Sequence, residues 1–163
     1  MFETNAYNLQ QSLDLSNYSQ ADRAAQASRK ALQVFYNALT QGWWERLWAS
    51  LSNRPQRLLD LNDIGSQGRM RNRHYAGIKT VRLNQIRGSE GRTEDFDANF
   101  KPLQVRSKDR WMSIAKAQLT DQALPPVELI QIGETYYVRD GHHRISVAQA
   151  LGQESIEAEV TVM

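Results

Sequence analysis

Thr135-Tyr136-Tyr137-Val138-Arg139-Asp140-Gly141-His142-His143-Arg144 is the stretch whose reading decides the fold. It opens as a β-rich run, reaches a glycine, and passes at once into a helical pattern. Ile145, Val147, Ala148 and Leu151 carry that pattern, and Gly152 stops it. A strand feeding a glycine that opens a helix is a common backbone route to an anion site. The first helical amides have no intrahelical acceptor, and the aligned peptide dipoles place partial positive charge there. Glycine allows the backbone to come close, and Arg144 can grip phosphate or carboxylate through two parallel hydrogen bonds. The stretch predicts a phosphate site of nucleotide type at 140–144. The competing reading is a tight strand–helix turn with solvated basic residues.

The neighbouring elements follow outward from this turn. Leu124-Pro125-Pro126 launches a strand at Val127–Ile132, and Gly133-Glu134 turns it into a second strand at Thr135–Arg139. A helix over 143–151 precedes a closing strand, in which Ile156, Ala158, Val160 and Val162 alternate with Glu157, Glu159 and Thr161. Upstream, Lys108 to Leu119 reads as a helix with Trp111, Ile114, Ala115 and Leu119 on one face. Gly88 to Phe100 reads as a polar loop, and Ile78 to Ile86 as one strand. Gly65 to Gly77 is glycine-dotted and polar, as expected of a linker.

Residues 1–17 are polar and are expected to be loosely ordered. A helix is predicted from Ser19 or Gln20 to Thr40, on Ala24, Ala27, Ala31, Val34, Phe35 and Ala38. Gly42 is expected to interrupt it before a short helix bearing Trp43, Trp44, Leu47, Trp48 and Leu51. Pro55 can then open another helical turn through Leu58 and Leu59. Three tryptophans within six residues predict a docking surface, within the chain or in a homodimer. The expected fold class is α+β: a small mixed sheet with packed helices at 78–163, preceded by an N-terminal helical region and linker at 1–77.

Length and composition set the outer limits. A chain of 163 residues, 23% charged and 40% hydrophobic, can bury a real core. No apolar run approaches the ~18 residues needed to span a bilayer, and no signal-peptide pattern opens the chain. No membrane association and a cytoplasmic location are the resulting expectations. The absence of cysteine excludes thiolate nucleophiles, disulfides and cysteine-ligated metal. Net charge is +2, with ten Lys/Arg against six Asp/Glu over 1–80 and ten against twelve over 81–163. Arg69, Arg71 and Arg73 form a small basic run, for which a solvated loop is favoured over contact with nucleic acid.

The segment Leu124-Pro125-Pro126-Val127, then Tyr137 through Arg144, then Ala148, Leu151-Gly152 and Ile156 resembles the ParB/sulfiredoxin-like nucleotide-binding superfamily. The resemblance spans about 78–163 and implies that Gly141, His142, His143 and Arg144 contact nucleotide phosphates. It departs from two members in telling ways. Sulfiredoxin carries its catalytic cysteine directly after the glycine, where this chain has His142, so sulfinic acid reduction through a thiolate is excluded. ParB partition proteins have Glu-Arg where His142-His143 stand and a downstream DNA-reading module that is not expected here. Nucleotide-dependent small-molecule kinases with a glycine–histidine turn are nearer in chemistry.

The second candidate constellation is Gly88-Ser89-Glu90-Gly91-Arg92-Thr93-Glu94-Asp95-Phe96-Asp97. Arg92 can meet phosphate. Glu90 and Asp95 are candidate general bases, and Asp97 and Asp140 candidate oxygen ligands for Mg²⁺. The alternative is a solvated acidic loop anchored by Phe96 and Phe100. His142 is the candidate acid–base histidine, since adjacent histidines on a helix point about 100° apart and chelate poorly. Capping of the helix is the plainest role for Asp140. The expected activity is binding of ATP or CTP with Mg²⁺, extending to hydrolysis or phosphotransfer. The alternatives are a non-catalytic nucleotide-responsive regulator and a nucleic-acid-associated protein. In the first two readings Arg144→Ala is expected to abolish nucleotide binding and leave the fold intact.

Overall fold

The computed structural model describes residues 3–52, 58–65, 73–91 and 94–163. Helix α1 (Glu3–Ser52) leads to strand β1 (Leu59–Asp60), the short helix α2 (Leu61–Gly65) and strand β2 (His74–Arg82). A 3-10 turn at Leu83–Gln85 precedes β3 (Ile86–Ser89), and a second at Val105–Ser107 precedes α3 (Lys108–Leu119). Strands β4 (Val127–Ile132) and β5 (Thr135–Asp140), helix α4 (His142–Ala150) and strand β6 (Ser155–Val162) complete the chain. The six strands form one mixed sheet in the order β1-β3-β5-β4-β6-β2. Pairs β1/β3, β3/β5 and β4/β6 are parallel, whereas β4/β5 and β2/β6 are antiparallel. The fold class is α+β, as the pattern predicts.

The alternation in β6 has the expected cause. Ala158 and Val160 are buried and Glu157 and Glu159 exposed, so period two sorts the strand between core and solvent. Val127, Leu129, Val138, Ala158 and Val160 face α4 through Ile145 and Ala148, joined by Phe96 and Phe100 from the acidic loop. Helices α1, α3 and α4 meet over Ala31, Phe35, Trp111, Ala115 and Val147. Trp111 is fully buried, edge-on to Phe35 at 5.3 Å, and donates its indole N–H to Ser146 Oγ at 2.9 Å. The other face of the sheet is covered at Ile130 and Tyr137 by Leu61 of α2.

Four expectations change. The break at Gly42 does not occur; α1 runs through it as one helix. Gly42 serves close packing instead, since a Cβ there would lie 3.3 Å from Lys101 Cβ. Residues 3–17, expected to be loose, continue the same helix. No proline or glycine interrupts the sequence before Gly42, and a docked segment propagates helix at low cost per residue. The single strand at 78–86 is two strands separated by a 3-10 turn, pinned by Leu83 N–H on Glu154 C=O at 3.0 Å. Leu59 is not helical but pairs with Gly88, where a Cβ would fall 2.6 Å from Leu59 O.

The boundary expected at 78 falls inside β2, whose first residues pair His74 with Val162 and Tyr75 with Thr161. The ladder shifts register between Tyr75 and Ile78, and Gly77 supplies φ +84° there. Among the described residues, no helix is long and apolar enough to cross a membrane. Arg69 and Arg71 lie outside the described residues, and Arg73 contacts Glu90 at 3.4 Å.

Candidate functional site

The β5–α4 turn forms as the residue types require. Gly141 adopts φ +100°, and an added Cβ would fall 2.6 Å from Val127 Cγ1 and 2.8 Å from its Cβ. Only glycine meets both conditions without strain. The first α4 hydrogen bond runs from Ile145 N–H to Gly141 C=O at 3.0 Å, so the amides of residues 142–144 precede the helical ladder. Asp140 is not the cap. Gly141 holds that position without a side-chain bond, and Asp140 instead accepts from Arg144 Nη2 at 2.6 Å. One turn of helix brings residues i and i+4 together, and the charge pair uses that geometry.

Arg144 is committed elsewhere too. Its Nη1 donates to Pro125 C=O at 2.5 Å and Pro126 C=O at 2.8 Å, and its side chain is mostly buried. Two consecutive prolines contribute carbonyls but no N–H groups, so the guanidinium staples the segment before β4 to the start of α4. Arg144→Ala therefore does not leave the fold untouched. The carbonyls would lose a charged donor, at a cost of about 2 kcal/mol.

Both histidines turn inward. His142 stacks on the buried Phe96 ring, 18° from parallel at 6.0 Å, and His143 meets the same ring edge-on at 5.2 Å. His142 Nε2 lies 2.6 Å from Ser89 Oγ on the neighbouring parallel strand, where Ser89 is paired with Val138. Ser89 Oγ also lies within reach of Gly91 C=O and Val138 C=O. The direction of the Ser89–His142 hydrogen bond follows the tautomer of the imidazole.

The acidic residues do not gather in one cluster. Glu90 accepts from Arg139 Nε at 3.0 Å and Arg73 Nη2 at 3.4 Å. Asp95 accepts from Arg106 at 2.6 Å. Asp97 is buried, and its Oδ1 accepts from the amides of Asn99 and Lys101, each at 2.8 Å. Those bonds close the loop on itself, helped by the Phe96–Pro102 bridge. Among the described residues, no three His, Asp or Glu side chains are grouped to hold a metal. Arg92 and Thr93 lie outside the described residues. Ser89 is the site residue that pattern reading left without a role. Its only sequence signal is its place after Gly88 at the head of the acidic loop.

Burial raises the Asp97 carboxyl above its ordinary value, against the two backbone bonds that pull it down. The folded state thus holds its proton to higher pH than the unfolded state. Stability from this group is full below about pH 3.8 and is lost as pH rises through the folded value. Asp97→Asn keeps an acceptor for both amides and removes the charge. Its Tm relative to the parent should climb as pH rises from that point, then level off. A difference constant with pH would show that the carboxyl is not held up by burial.

No protein-family profile matches the chain, and a search of curated proteins finds no similar sequence. Among solved structures, the chain is similar to a crystal structure of sulfiredoxin from Arabidopsis thaliana. The match covers 51% of this chain and 82% of that one, at 28% identity and a TM-score of 0.35.

Proposed function

We propose that this protein binds a nucleoside triphosphate, ATP or CTP, with Mg²⁺, through the turn at 140–144. What supports this is the turn itself: a left-handed glycine at a strand end, opening a helix whose leading amides precede the helical ladder, with Arg139 and Arg144 on either side in sequence. Arg139 and Arg73 hold Glu90 by part-exposed ion pairs. Such pairs contribute little to stability, so a phosphate can take over their arginines at low cost. Mg²⁺ is content with one or two carboxylates beside phosphate oxygens, for which Asp140 is placed next to the turn.

Phosphoryl transfer would ask the protein mainly for positioning and charge neutralisation. A non-catalytic, nucleotide-responsive role is the second reading, and one observation favours it. The 94–102 loop contacts both the start of α4 and the α1 helix. Phe96 covers His142 and His143, while Asn99 and Lys101 are bound by Glu45 of α1. Phosphates entering beneath Phe96 would displace a loop that α1 grips.

A thermal-shift panel of nucleotides with and without Mg²⁺ is the test. A ligand at a hundredfold excess over its dissociation constant stabilises by about 2.7 kcal/mol, which for a chain of this size raises Tm by about 5–10 °C. Arg139→Ala should weaken that response while leaving the unliganded Tm near the parent's, since Arg139 is half exposed. Arg144→Ala should lower the unliganded Tm and abolish the response. If no nucleotide moves the parent's Tm, the assignment falls.

A further inference from the structure

Trp43, Trp44, Leu47 and Trp48 are exposed by 57%, 55%, 48% and 67%. They sit on α1 at the edge of its contact with the body, where Gly42 presses on Lys101 and Glu45 binds Lys101 and Asn99. Helical spacing lines up Trp44, Leu47 and Trp48, and Trp43 packs edge-on to Trp44 at 5.1 Å. Single exposed apolar residues are ordinary, but this group presents roughly 500 Å² of contiguous apolar surface. That lies in the upper part of the range of the largest apolar patch on a typical monomer, a patch that is often functional.

We infer that this face is the seam of a homodimer, covered by the same face of a second copy. Two such patches would bury about 1,000 Å², the lower bound for a specific interface, with aromatic residues of the kind that dominate binding energy. Charge permits self-pairing. Glu45, the acid within the segment, is drawn toward the body by Lys101 at 2.5 Å. A twofold contact needs only a self-complementary patch, and aromatic ridges on two helices interdigitate without requiring a partner of opposite charge. Nucleotide binding is not required, so the two proposals fail separately.

Sedimentation velocity and light scattering on the full chain should give a dimer that dissociates on dilution. The double variant Trp44→Glu/Trp48→Glu should raise the dimer dissociation constant by about a hundredfold or more, with far-UV circular dichroism unchanged. Trp48→Lys alone, at the most exposed position, should act in the same direction, so a folding failure of the double variant leaves the test intact. A parent that is monomeric at every concentration overturns the inference. So does a dimer indifferent to both variants, or a monomer that co-sediments with phosphatidylcholine vesicles through these tryptophans.

Discussion

Trp111→Ala should cost about 4 kcal/mol, the largest single loss expected in this protein. The side chain is fully buried where α1, α3 and α4 meet, in one cluster with Phe35, Ala115 and Val147. Its removal opens a cavity that the three helices cannot close without shifting. It also leaves Ser146 Oγ without its indole donor and Phe35 without its edge-on partner. Trp111→Phe should cost less, because it keeps one aromatic ring in the cluster and gives up the rest of the indole volume with one hydrogen bond worth about 1 kcal/mol. Urea unfolding of the two variants separates packing from bonding. The α1 helix has its main seat in this cluster, so limited proteolysis should find new cleavage in α1 of the alanine variant before the rest unfolds. Equal losses in the two variants would mean that the hydrogen bond, and not the ring, carries the site.

Gly141→Ala is expected to lose about 3 kcal/mol. Holding an L-residue in the left-handed region costs roughly 1–2 kcal/mol, and crowding a filled core adds about 1–3 kcal/mol. Both conditions apply here, since φ is +100° and the new Cβ would fall within 3 Å of two Val127 carbons. Val127 is itself wholly buried at the start of β4, so it cannot simply swing away. If the backbone relaxes to relieve the contact, the amides of residues 142–144 are re-aimed. Under the proposed function, the nucleotide response expected of the parent should then disappear even at temperatures where the variant is folded. Val127→Ala made together with Gly141→Ala should recover the crowding part of the loss but not the conformational part. A single variant within about 0.5 kcal/mol of the parent would show that the turn accepts a side chain.

Most of the second half was legible because its signals are local. The alternation of β6, the Pro125-Pro126 launch of β4, the turn at Gly133 and the helical period after Gly141 each act over a few residues. Candidate site residues were legible as types but not as relationships. Arg144 reads as a free phosphate ligand, yet its donors are occupied by Pro125, Pro126 and Asp140. Glu90, Asp95 and Asp97 read as one acidic cluster, yet each answers to a different partner. Ser89 lies 53 positions from His142 in the chain, and nothing local predicts their contact.

Sequence alone determined the α+β class, the strand–glycine–helix turn and the exclusion of cysteine chemistry, because period, glycine conformation and composition act without knowledge of neighbours. Tertiary structure alone decided that Leu59 extends the sheet, that Gly42 packs instead of breaking a helix, and that Phe96 covers the two histidines. Each of these depends on a surface supplied by a distant part of the chain: Gly88 for Leu59, Lys101 for Gly42, and the start of α4 for Phe96. Propensity carries no record of such surfaces, and burial against them outweighs it.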